Sequence, residues 1–169
     1  MVLGNKLMEE KMKVVEYDSL NRVVQMFIGE ALSARAHANA DYSHFKVGAA
    51  VGCSNSTRHI IANGCNVENV IYKAVHAEEA ALARMAMMLK PGERVCVDTV
   101  VVVLEAEKED QHSVPCGYCR QLIREVGNDD TVIYGVKLNA AGEILQVEMF
   151  TLGELLPYSF GPNNLNLGK

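Results

Sequence analysis

Phe45-Lys46-Val47-Gly48-Ala49-Ala50-Val51-Gly52 alternates without a break. Phe45, Val47, Ala49 and Val51 fall on one face, and Lys46, Gly48, Ala50 and Gly52 on the other. A period of two is the mark of a strand. Its second face is mostly glycine and alanine, so another element must pack very close to it. Ser54 to Thr57 supplies turn formers, and His59 to Cys65 returns as a second strand. The pair predicts an antiparallel hairpin.

Upstream, Leu20, Val23, Val24, Phe27, Ile28, Ala31 and Leu32 recur at helical spacing, with Asp18 or Ser19 placed to cap. Downstream, His76 to Leu89 reads as a helix stopped by Pro91-Gly92, and Val95 to Leu104 as a buried strand. Cys116 to Val126 reads as a helix, and Thr131 to Leu138 and Glu143 to Phe150 as strands joined by a turn at Ala141-Gly142. Thr151 caps a last short helix that Pro157 breaks. Strands alternating with helices indicate an α/β domain with helices on both faces of one sheet. The opening hairpin makes that sheet mixed.

A chain of 169 residues holds one domain with a proper core, not two. Residues 1–17 carry mixed charge without a firm pattern and are an N-terminal extension. Residues 18–162 form the domain and 163–169 a tail. No apolar run approaches the length of a membrane span. Lys6, Glu9, Glu10, Lys11 and Lys13 deny the N-terminus the apolar core of a secretory signal, so a cytoplasmic location is expected.

The net charge is −5, with acidic residues gathered between Glu105 and Asp110. A solvated loop explains that run. A phosphate backbone calls for a basic face, and none is visible, so nucleic acid is not the expected partner. Five cysteines at 53, 65, 96, 116 and 119 are an odd number for a disulfide framework. Cys116 and Cys119 have the spacing of a metal or redox pair, whereas the other three read as small buried hydrophobes.

Chemistry concentrates in His76-Ala77-Glu78 and Pro115-Cys116-Gly117-Tyr118-Cys119, each at the start of a predicted helix. Unpaired backbone N–H groups and the positive dipole end favour thiolates there. One imidazole and two thiolates leave a fourth position on tetrahedral zinc for water, which the metal acidifies enough to yield hydroxide near neutrality. Glu78 stands beside that water without being a ligand. Either half alone is weak: a lone histidine is more often structural, and a lone pair of cysteines can be redox-active. Together they match the H-x-E … P-C-x-x-C signature of zinc deaminases acting on cytosine or adenine.

The resemblance extends further. Tyr42-Ser43-His44-Phe45-Lys46-Val47-Gly48-Ala49-Ala50, Asn66-Val67-Glu68-Asn69, Pro115 to Gln121, and Leu155-Leu156-Pro157 through Phe160-Gly161-Pro162 are similar to motifs of the nucleoside cytidine deaminases. The likeness runs over roughly 42–162. It implies a three-layer α/β/α fold around a five-stranded mixed sheet and one zinc ion per chain on His76, Cys116 and Cys119. It also implies that Asn66 and Glu68 bind the sugar hydroxyls, Phe45 packs on the pyrimidine, and the backbone at Ala77 binds the base edge. Phe45 on an alternating strand would otherwise be core, and Asn66 and Glu68 turn residues. The implied reaction is hydrolytic deamination of cytidine and 2′-deoxycytidine for pyrimidine salvage, with Glu78 protonating N3 and then the departing nitrogen. The implied assembly is a homotetramer, with a homodimer as second choice, in which Phe160 reaches a neighbouring pocket.

Short members of that family commonly carry a third cysteine followed by Ala-Glu-Arg, where this chain has His76-Ala77-Glu78-Glu79. A neutral histidine with two thiolates leaves zinc formally uncharged, so no offsetting arginine is required and Glu79 suits the first helical turn. Val114 stands where the family usually has a hydroxyl, and Val70, Ile71 and Lys73 replace smaller residues. These changes bear on substrate choice, and a modified nucleoside or nucleoside antibiotic is the alternative substrate. A non-catalytic zinc domain would need a fourth protein ligand, for which Cys53 or Cys65 would have to be brought near. A thiol-redox protein would leave His76 and Glu78 without a task.

Overall fold

A computed structural model describes residues 13–53, 60–106 and 111–165. In chain order the elements are β1 (Lys13–Val15), α1 (Arg22–Ala36), β2 (Val47–Cys53), β3 (Ile60–Cys65), β4 (Val67–Glu68), β5 (Ala74–Val75), α2 (Ala77–Met88), β6 (Thr99–Glu105), α3 (Gly117–Val126), β7 (Val132–Leu138), β8 (Ile144–Thr151) and α4 (Leu152–Leu155). Short 3-10 turns lie at Tyr17–Ser19 and Pro162–Leu165. The expected turn at Ser54 to Thr57, the start of the strand at His59 and most of the acidic run, 107–110, lie outside the described residues.

The main sheet has the order β1-β8-β7-β6-β2-β3, and only its β6–β7 pair is parallel. The expected hairpin is β2–β3, with Gly48 opposite Cys65 and Cys53 opposite Ile60. The sheet has six strands, not the five expected. The sixth is β1, from the stretch read as an N-terminal extension, and it pairs Lys13 with Met149 and Val15 with Val147. Three residues are too few to show a period, yet they cover the open edge of β8. Two further residues each from β4 and β5 make a separate ribbon beside the site.

α1 lies on one face of the sheet. Phe27, Ile28 and Ala31 pack there with Ala50, Val101, Val103, Val136 and Val147. The small face of β2 explains the contact, because a methyl at Gly48 would run into Ala31 O and Arg35, and one at Gly52 into Phe27. Asn21 caps this helix, its Oδ1 accepting from Val24 N at 3.0 Å, in place of the expected Asp18 or Ser19. Tyr17 to Ser19 are already committed to the 3-10 turn.

On the other face, Ala81 and Met85 of α2 and Ile123 of α3 pack with Val51, Val100, Val102, Ile133 and Phe150. The run from Val100 to Val103 therefore serves both cores, even residues on one side and odd on the other. Gly64 lets α2 approach its strand, since a Cβ there would meet Ala77 O, Ala81 N and Ala80. That glycine sets the position of the first turn of α2.

Candidate metal centre and active site

His76 is the N-cap of α2 and Cys116 the N-cap of α3. The loops entering both helices thus deliver their first residues to one point, and Cys119 follows one turn later, fully buried. His76 Nδ1 lies 3.5 Å from Cys116 Sγ and 3.4 Å from Cys119 Sγ. With bonds of about 2.0–2.1 Å to nitrogen and 2.3 Å to sulfur, a tetrahedral zinc ion holds its ligands about 3.6 Å apart. The three donor atoms match that spacing and lie within 4.8 Å of one another. They fit zinc, with Nδ1 as the imidazole donor. Neither Cys53 nor Cys65 joins this group among the described residues.

Glu78 sits in the first turn of α2 and is buried. Burial pushes its carboxyl above the ordinary carboxylate range, against its own backbone N–H, a hydrogen bond with Cys119 and the nearby His76. Burial also pushes the Cys119 thiol up, reinforced by Glu78 and Cys116. Negative charge on these groups calls for a cation between them. Glu79 is half-buried, its carboxylate accepting from His76 N at 3.3 Å.

A cavity of about 270 Å³ opens beside the donors, lined by His76 and Cys116. Phe45, Asn66, Glu68, Ala77 and Glu78 all line it, so the structure brings these expected residues together. Phe160 does not line it; the residue is 60% exposed, beyond α4. Asn66 is already engaged, with Oδ1 accepting from Val47 N at 2.8 Å and Nδ2 donating to Phe45 O at 2.8 Å. The amide thereby continues the sheet pairing past β2 and holds Phe45 at the cavity wall. Glu68 accepts from Tyr42 N at 2.8 Å, from Ser43 N at 3.1 Å and from the Ser43 hydroxyl. Those bonds from Ser43 and Tyr42 hold its carboxyl below the ordinary range. Each side chain keeps acceptor capacity toward the cavity.

Sequence reasoning did not single out Val102 and Leu104, which supply an apolar wall with Val114. In a continuous valine run nothing distinguishes the positions at the strand end, although the carboxyl ends of parallel strands are where α/β sheets bind ligands.

Residues 22–136 match the cytidine and deoxycytidylate deaminase zinc-binding region. The chain is 34% identical over 143 residues to the cytidine deaminase of Halalkalibacterium halodurans, covering 84% of this chain and 97% of that one. It is 34% identical over 144 residues to the cytidine deaminase of Mycobacterium tuberculosis, covering 83% and 91%. Against the longer cytidine deaminase of Shewanella frigidimarina, 32% identity over 134 residues covers 79% of this chain and 38% of that one. The crystal structure of cytidine deaminase from Burkholderia pseudomallei superposes with a TM-score of 0.65 at 32% identity, covering 83% of this chain and all of that one (100%). The sequence match, the shared fold and the His/Cys/Cys donor set agree, and the chain belongs to the zinc-dependent cytidine and deoxycytidylate deaminase family.

Proposed function

We propose that the chain converts cytidine and 2′-deoxycytidine, with water, to uridine and 2′-deoxyuridine and ammonia, serving pyrimidine salvage in the cytoplasm. The observation that carries this reading is the buried Glu78 beside the His76, Cys116 and Cys119 donors, at the wall of the cavity that Asn66 and Glu68 also line. His76, Cys116 and Cys119 would hold one zinc ion. Zinc supplies there a Lewis acid and a water acidified to hydroxide near neutral pH.

Glu78 takes a proton from the attacking water and gives it to N3 of the ring, then takes the remaining hydroxyl proton of the C4 adduct and delivers it to the exocyclic nitrogen, so that the C4 carbonyl forms as the C–N bond breaks and ammonia leaves. Its raised carboxyl suits a group that must hold a proton between two transfers. The Ala77 backbone faces the base edge, and Phe45 packs on the ring. Asn66 and Glu68 bind the ribose with the acceptor capacity that the loop contacts leave. Residues 18–162, with β1 added at the edge of their sheet, are the catalytic domain.

Ammonia release from cytidine, 2′-deoxycytidine, adenosine and free cytosine tests this reading. Both cytosine nucleosides should turn over, and free cytosine far more slowly. Equal efficiency on cytosine and cytidine would refute the sugar assignment. The wall of Val102, Leu104 and Val114 favours a second substrate reading, a cytidine modified with an apolar group. Preference for 5-methylcytidine over cytidine would establish it.

The proposed assembly is a homotetramer, with a homodimer as second choice. Tyr158 and Phe160 near the end of the described chain, and Val70, Ile71 and Tyr72 in the β4–β5 loop, are all exposed apolar groups. A soluble monomer rarely leaves so many uncovered. No described helix is long and apolar enough to cross a membrane. Light scattering should give a multiple of the 18.5 kDa chain mass. Phe160→Ala should weaken substrate binding without loss of zinc. A fully active monomer would end the composite-site reading.

A further inference from the structure

Glu148 is completely buried on β8, with its carboxylate against a lysine that is nearly as buried. Lys137 Nζ lies 2.9 Å from Oε1, and His112 Nδ1 lies 3.1 Å from the same oxygen. Oε2 accepts from the backbone N–H of Ser113 at 3.2 Å. The Ser113 hydroxyl in turn lies 3.2 Å from Val102 O and 3.0 Å from Val136 O, donating between two parallel strands. Directly opposite Glu148 in the register stands Gly135, where a Cβ would strike the Ser113 carbonyl. One residue is thus gripped from below by a carboxylate, a glycine and two strand carbonyls. Three residues later comes Cys116.

A buried ion pair is by itself a weak source of stability. A buried ion pair can usually be replaced by two apolar side chains without loss, because desolvation of both charges offsets their attraction. Neither Glu148 nor Lys137 lines the cavity. What the pair adds is a directed acceptor under the backbone that leads into Pro115-Cys116. We infer that Glu148, paired with Lys137, is a positioning residue for the metal centre: it holds the 112–113 backbone so that Cys116 meets His76 and Cys119 at metal-binding distance. The inference rests on the ligand set proposed above.

Two double variants test it in the full chain. Lys137→Met/Glu148→Gln removes both charges but keeps an acceptor under Ser113. Lys137→Met/Glu148→Leu removes the charges and the acceptor together. Both should keep the parent far-ultraviolet circular dichroism, since neither leaves an unpaired buried charge. Zinc affinity is read by competition with a chromogenic chelator, and ligand geometry by the thiolate-to-metal and d–d bands of the cobalt(II)-loaded protein. The leucine double variant should bind zinc about tenfold or more weakly, the scale of outer-shell losses, with shifted cobalt bands. The glutamine double variant should stay close to the parent in both. Equal behaviour of the two variants, whether parent-like or both weakened, would overturn the anchor. A parent without a thiolate–cobalt band would overturn the ligand set and the anchor with it. Neither readout requires turnover, so an error in the substrate assignment leaves this result standing.

Discussion

The phenol of Tyr118 donates to the Glu79 carboxylate at 3.1 Å, linking the first turns of the two helices that carry the metal donors. The Tyr118 ring also stands 5.3 Å from the His76 ring. The same carboxylate accepts from His76 N. Glu79 therefore caps α2 and ties it to α3 at once. Glu79→Ala should cost about 1 kcal/mol, as loss of a cap does. Tyr118→Phe should cost less, because its partner keeps the cap. Urea unfolding of the zinc-loaded proteins measures both, and a larger loss for Tyr118→Phe would contradict the cap assignment.

Metal content separates the donors from the remaining cysteines. His76→Ala, Cys116→Ala and Cys119→Ala should each abolish stoichiometric zinc, whereas Cys65→Ala should retain one ion per chain. Elemental analysis of purified protein decides it. Full zinc in Cys116→Ala would mean that another residue completes the site.

Glu78→Gln removes the proposed proton carrier and leaves the donors in place. Activity should fall by about 10²–10⁴-fold, the usual contribution of a general acid–base group, with zinc content unchanged. Steady-state ammonia release with parallel metal analysis is the measurement. Near-normal turnover would place the proton path elsewhere.

Two glycines give opposite expectations. Gly64→Ala forces a methyl against Ala77 O and Ala81 N, so it should destabilise by about 1–3 kcal/mol and shift the zinc-bearing end of α2. Gly29 lies within α1, and a methyl on its Cα would meet nothing within 4 Å, so Gly29→Ala should stabilise by about 0.5–1 kcal/mol. Thermal unfolding distinguishes the two directions.

Cys53 supplies a pH dependence away from the metal. Burial, then the neighbouring Cys96 and Asp98, push its thiol from 9.0 up to about 11. Its Sγ donates to Cys96 O at 2.6 Å. A thiol with a raised folded value binds its proton more tightly when folded. That stabilisation is whole below about 9 and is lost as pH rises through about 11. Urea midpoints should therefore fall more steeply between those values for the parent than for Cys53→Ala. Parallel curves would show that Cys53 does not contribute.

The donor set was legible in the sequence because each piece is a local event. A histidine and a cysteine at helix N-caps, with a second cysteine one turn on, declare themselves through spacing and helix polarity. The β2–β3 hairpin was equally plain, since its alternation and its glycine face are local patterns. β1 was not, because three residues acquire strand identity only from the unpaired edge of β8. Asn66 and Glu68 read as sugar contacts in one dimension. Folding shows that they build the loop from Tyr42 to Val47, a role visible only once backbone groups about twenty residues away arrive beside them. Glu148 and Lys137 carry no spacing signal at all. They are eleven residues apart on two strands, and only the β7–β8 register places them on one face beneath the loop that leads to Cys116. Sequence thus marked the residues that could hold a metal and the carboxylate proposed to move a proton. The tertiary structure decided what holds them at 3.4–3.5 Å, because long-range backbone pairing has no periodicity to betray it.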